Sequence, residues 1–126
     1  MWIAMSDAFI SAVEDRNDPT RLVVRARNPE HLKRLFPTAE VVITPNADYA
    51  ARVFLPHDDF SRMLVERVDE IRYDNFKASV SDTRLHRMYE DMWSIHWAYQ
   101  QNLSKPDRSK HMSWSGGDVQ FHPKRD

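Results

Sequence analysis

The sequence contains no cysteine, which excludes disulfides, thiolate metal centres and a cysteine nucleophile. It has only two glycines, Gly116 and Gly117, and none between Met1 and Leu103. A phosphate-cradling loop needs glycine where the backbone must approach the ligand. The body therefore cannot hold a P-loop, a Rossmann dinucleotide turn or a kinase glycine loop, nor the G-x-S-x-G elbow of a serine hydrolase. Turns fall instead to Asn, Asp and Pro. A surplus of either charge is also missing: 18 Lys and Arg stand against 19 Asp and Glu, for a formal net charge of −1. No global field draws the chain to nucleic acid or to acidic membranes, and it is not a strongly acidic mimic of DNA. No apolar run approaches the length of a membrane span. Met1–Met5 is too short for a signal peptide, with Asp7 following closely. A cytoplasmic location is expected.

With 126 residues, 41% of them hydrophobic and 29% charged, the chain is long enough for one globular core. A single domain over residues 1–103 and a polar tail over 104–126 are expected. In that tail Trp114, Val119 and Phe121 could dock on the body or on another chain.

The densest apolar patterning runs from Asp58 to Gln101, interrupted at Tyr73–Lys77. Phe60, Met63, Leu64, Val68 and Ile71 recur at helical spacing, the stripe of an amphipathic helix lying on a core. Asp58 is expected to cap that helix, and Asp82 the next one. In the second helix Leu85, Met88, Tyr89, Met92, Trp93, Ile95, Trp97 and Tyr99 cover more than one stripe. Such a helix is either enclosed between layers or offers its second face to a partner.

Earlier in the chain, Trp2–Met5 reads as a short strand, and Phe9–Glu14 and Arg21–Arg27 as a hairpin around the Asp15–Pro19 turn signal. Leu22, Val24 and Ala26 point one way, Val23, Arg25 and Arg27 the other. Asn28 caps a short helix with Pro29 at its first position, Leu32, Leu35 and Phe36 inward, and Pro37 as terminator. Glu40–Thr44 is extended. Asp48–Leu55 alternates, with Tyr49, Ala51, Val53 and Leu55 inward and Asp48, Ala50, Arg52 and Phe54 outward. The sum is an α+β fold: a small antiparallel sheet of three to four strands with helices mainly on one face, ferredoxin-like or a related two-layer sandwich.

Two constellations could carry function. The outer sheet face collects Arg25, Arg27, Arg52, Asp48 and, at its margin, Glu14. It is either a solvated face with cross-strand ion pairs or a surface for phosphate, an acidic protein patch or a nucleic-acid backbone. Phe54 alone makes a poor platform for stacking RNA bases. Tyr73, Asn75 and Lys77 share the break between the helices. There they either converge on an anion or do structural work, with Asn75 capping and Tyr73 and Phe76 packing on the sheet. The six histidines are scattered. His86 and Glu90 lie one helical turn apart, and His57 precedes Asp58 and Asp59, but neither spacing makes a metal motif. No metal, no cofactor and no catalytic set is expected.

The segments Glu14-Asp15-Arg16 with Asp18-Pro19, Leu22-x-Val24-Arg25-Ala26-Arg27, Ala47-Asp48-Tyr49-x-x-Arg52, Tyr73-x-Asn75-Phe76-Lys77, and later Tyr89 and Trp93 resemble a family of short uncharacterised bacterial and phage proteins. The resemblance spans roughly residues 1–97 and brings no established activity. Proteins of this kind occur among phage accessory genes that include anti-CRISPR inhibitors. It therefore implies a non-enzymatic protein that occupies a protein or nucleic-acid-binding surface on a larger protein or ribonucleoprotein complex. The tail beyond Asn102 departs from the family's shorter ending. A different reading makes Asp48, Tyr49, Arg52 and Lys77 an acid/base set acting on an anionic substrate. A further one is a homodimer through Trp93, Trp97 and Tyr99. On the binding reading, converting Arg25 and Arg27 to Glu is expected to abolish partner capture without unfolding the domain.

Overall fold

Alternating side chains along two neighbouring strands set the layers. β2 (Phe9–Asp15) and β3 (Asp18–Ala26) form an antiparallel hairpin with Ser11 opposite Arg25 and Val13 opposite Val23. Successive side chains of a strand point to opposite faces. One face therefore receives Ile10, Ala12, Leu22, Val24 and Ala26, all part of the apolar core. The hairpin is tighter than the sequence suggested, because β3 starts at Asp18 rather than Arg21. Local bonds make this possible: the Asp15 carboxylate accepts from Asn17 N, and the Asp18 carboxylate from Thr20 N. Pro19, which cannot donate, lies where β3 has not yet met its second neighbour.

β1 (Trp2–Ala4) pairs with β2, β5 (Ala51–Pro56) with β3, and β4 (Val42–Ile43) with β5, all antiparallel. The order β1-β2-β3-β5-β4 makes a five-stranded sheet, where three to four strands were expected. The excess lies in the outermost strands, which are only three and two residues long. The α+β two-layer assignment stands. Its element order, β-β-β-α-β-β-α followed by a 3-10 turn and a last helix, differs from the β-α-β-β-α-β of ferredoxin-like proteins, so it is the related two-layer arrangement that is realised.

α1 (Pro29–Leu35) forms as its signals require: Asn28 Oδ1 accepts from Glu30 N at 3.0 Å, Pro29 opens the first turn, and Leu32 and Leu35 are buried. α2 (His57–Asp69) does not use Asp58 as its cap. β5 runs straight into it through an extended Pro56 (φ −62°, ψ 153°), which places Asp58 and Asp59 inside the first turn, near the positive end of the helix. Phe60 and Met63 join the core, as Leu32, Leu35 and Phe36 do, whereas Val68 and Ile71 remain 64% and 49% exposed. The interruption after α2 holds a 3-10 turn at Lys77–Ser79, which is followed by α3 (Thr83–Asn102), capped by Asp82.

The computed structural model describes residues 1–106. The tail positions Trp114, Val119 and Phe121, with His111 and His122, lie outside the described residues. The chain comprises two compact units, Met1–Ser81 and the segment from Asp82 onward. Among the described residues no helix is long and apolar enough to cross a membrane.

Core and rim should separate sharply in equilibrium unfolding. Leu32→Ala removes a side chain that is 0% exposed and is expected to cost about 2–5 kcal/mol. Val68→Ala, on the exposed end of α2, should stay within about 0.5 kcal/mol of the parent; urea denaturation of both variants measures the contrast.

Candidate binding surface

The sheet face turned away from α1 and α2 places two arginines across from each other. Arg25 of β3 is the register partner of Arg52 of β5 and, on its other side, of Ser11. Like charges directly opposite on antiparallel strands repel. Here the two guanidiniums are drawn apart. Arg25 Nη2 donates to Ser11 Oγ at 2.8 Å, and Arg52 Nη2 to Asp48 Oδ1 at 3.0 Å.

Tyr49 completes the arrangement. Its alternation suggested the core face, but β5 begins only at Ala51 and the phase does not extend back to Tyr49. The Arg25 and Arg27 guanidiniums both lie over the Tyr49 ring, 4.5 and 4.3 Å from its centroid, within cation–π range. The loop that carries Tyr49 is tied at several points. Arg27 Nη1 donates to Asp48 O at 2.6 Å, Thr44 Oγ1 to Tyr49 O at 2.7 Å, and Thr44 N to Ala50 O at 2.7 Å. Tyr49 is 1% and Arg25 2% exposed, so Arg25 is enclosed and not the solvent-facing contact expected from its alternation. Arg27 is exposed, while Asp48 and Arg52 are half-buried. Glu14 pairs with Leu22, on the helix side of the sheet, and is not part of this group.

A second cation–π pair, absent from the sequence reading, lies on the same face: Arg21 stands 4.7 Å from the Phe54 ring centroid. Arg21 Nε also donates to Asp15 Oδ2 at 2.6 Å. The Asn17 amide, followed by Arg21, holds the Asp15 carboxyl below its ordinary 3.8. The Thr20 hydroxyl and amide do the same for Asp18. Alternation could have flagged Arg21 and Phe54 as same-face neighbours; the bulge that brings Asp15 to Arg21 leaves no mark in the sequence.

Tyr73, Asn75 and Lys77 do not join this cluster in either concavity described for the first unit. Asn75 Oδ1 accepts from Ala78 N at 3.1 Å, a turn-capping bond, and Lys77 opens the 3-10 turn. Tyr73 meets Phe76 at 6.0 Å between centroids and lines a concavity with Ile3 and Val68. The other concavity lies against Phe36, Phe54 and Arg62. His86 and Glu90 approach to 3.7 Å, and the buried His31, which no pattern singled out, accepts from Phe9 N through Nδ1 at 3.1 Å. Among the described residues no three His, Asp or Glu side chains are placed to hold a metal.

No known protein family, curated protein or solved structure matches this chain.

In α3 every residue from Trp93 to Asn102 is exposed. Trp93 and Trp97 stack in parallel, 5.7 Å between centroids and 3° between planes. Ile95 and Tyr99 are each 68% exposed. Large apolar side chains grouped on a surface mark interaction sites, and Trp and Tyr dominate binding energies.

Two measurements test the electrostatics. Because Arg25 is enclosed and Arg27 is not, Arg25→Glu should unfold the first unit and Arg27→Glu should leave it folded, as circular dichroism will report. The lowered Asp15 and Asp18 carboxyls bind protons more weakly folded than unfolded. Their stabilisation is complete well above 3.8 and decays as the pH falls below about 5 and through the lowered folded values. Asp15→Asn should flatten this acid limb of stability against pH.

Proposed function

We propose that the protein is a non-enzymatic binding protein that occupies a protein or nucleic-acid-binding surface on a larger complex, in the manner of phage inhibitors of bacterial defence assemblies. The observation that carries this reading is the exposed second half of α3, with its stacked Trp93–Trp97 pair and neighbouring Ile95 and Tyr99. Such side chains lose hydration cost when a partner covers them. The groups best suited to chemistry engage one another instead. Arg25 and Arg27 lie over Tyr49, and Asp48 holds Arg52. The inhibitor form of the reading rests on the segment resemblance alone, since no known family, curated protein or solved structure matches. Exposed Arg27 adds a cation able to meet an acidic patch or a phosphate.

The same tryptophan pair also supports a second reading, in which two copies associate through α3 and function resides in the dimer. Affinity capture from the native host, followed by mass spectrometry, tests the first. A larger protein or ribonucleoprotein assembly should be retained by the parent and lost at least about tenfold by a Trp93→Ser/Trp97→Ser variant that still folds. Capture unaffected by that variant sinks the α3 reading. Sedimentation of the isolated chain reports the dimer.

A further inference from the structure

β1 is an outermost strand of the sheet, and its hydrogen bonds show which groups face away. Met1 donates its amine to Ala12 O at 2.9 Å and Ala12 N donates to Met1 O at 2.8 Å. That reciprocal exchange marks a hydrogen-bonded pair, and such pairs alternate along an antiparallel ladder. Ile3 opposite Ile10 is the next, and Met5 N donates to Ala8 O at 2.8 Å after it. Trp2 and Ala4 therefore turn their N–H and C=O groups outward from the sheet. Both residues are exposed. An edge of this kind is a template for one more strand.

The last turns of α2 pass beside that edge. Leu64 and Val68 of α2 and Ile71 just beyond its end, with Ile3, Ala4 and Tyr73, wall an open concavity of about 440 Å³. Apolar surface here outruns the core: Val68 near the end of α2 and Ile71 past it are 64% and 49% exposed. A strand edge next to an apolar wall is the geometry that captures extended peptides. Main-chain bonds hold the peptide and alternate side chains enter the pocket.

The charges select the occupant. Arg67 Nη1 is bonded to Asp7 Oδ1 at 2.6 Å, and Arg34 Nε approaches Asp7 at 3.9 Å. Glu70 lies 3.9 Å from that same Arg67, with its side chain 65% exposed. We propose that this groove binds an extended segment of a partner protein as a sixth strand on β1, with apolar residues at alternate positions and a Lys or Arg directed to Glu70. This surface belongs to the first unit alone.

Selection from a randomised peptide library on the full chain tests it. Enriched peptides should alternate apolar residues and carry a basic residue, and backbone N-methylation of the peptide should abolish binding. Ala4→Pro removes a donor that β2 does not use. It should weaken binding at least about tenfold, as should Val68→Asp at an exposed position. Glu70→Lys should convert the selected basic residue to an acidic one. Parent-like unfolding curves establish that each variant is folded; should Ala4→Pro unfold, Val68→Asp and the N-methylated peptide decide alone. Failure to enrich an alternating pattern, or binding that survives both Val68→Asp and N-methylation, overturns the proposal. So does self-association of the chain that Val68→Asp abolishes, since a second copy would then fill the groove. Trp93→Ser/Trp97→Ser should leave peptide binding unchanged, which separates this test from that of the α3 face.

Discussion

A guanidinium in the middle of the sheet is the constraint around which the face turned away from α1 and α2 is organised. Arg25 is 2% exposed on a central strand, and an ion taken out of water without compensation costs several kcal/mol. The surrounding structure supplies that compensation in specific forms: the Ser11 hydroxyl, the π face of Tyr49, and removal of the opposing Arg52 to Asp48. Each of these fixes something else. Holding Tyr49 requires the Thr44–Ala50 loop to fold back, and Arg27 and Thr44 anchor it there. The loop's return sets where β4 ends and β5 begins. The apolar layer under α1 and α2 needs none of this; the opposite face of the sheet does.

The layers themselves were legible from the sequence because one periodicity governed each element. Strand alternation sorted Leu22, Val24 and Ala26 from Val23, Arg25 and Arg27, and cap chemistry located α1 and α3 at Asn28 and Asp82. Legibility failed where two elements meet. Tyr49 is buried, as its place in the alternation suggests, but it packs under Arg25 and Arg27 and not in the apolar cluster, because alternation has a phase but no marker for the first residue of a strand. Asp58 lost its capping role because β5 passes into α2 without a loop. Depth was also hidden: the pattern gives the face of Arg25 and not its enclosure, since charged residues seldom lie inside. The contacts of Arg21 with Asp15 and Phe54 depend on a bulge and on register, neither of which a single sequence displays. Spacing continues the helical stripe as far as Ile71, whereas α2 ends at Asp69 and the core ends sooner still, with Val68 already exposed.

Two regions of exposed apolar surface differ in character. The second half of α3 offers flat aromatic rings on a rigid rod, suited to broad contact with low loss of side-chain entropy. The β1–α2 groove offers main-chain donors and acceptors beside aliphatic walls, suited to a narrow, directional ligand. A protein using both would distinguish partners by shape at one surface and by backbone conformation at the other.

None of the described residues has a positive φ angle, although the first 103 positions contain no glycine. Every turn there is built from right-handed or extended backbone that any β-carbon tolerates. The loops consequently carry no site where one residue type is compulsory for steric reasons. What constrains the loops is therefore packing and hydrogen bonding, as at Tyr49 and Thr44, and not the steric demand of a left-handed backbone.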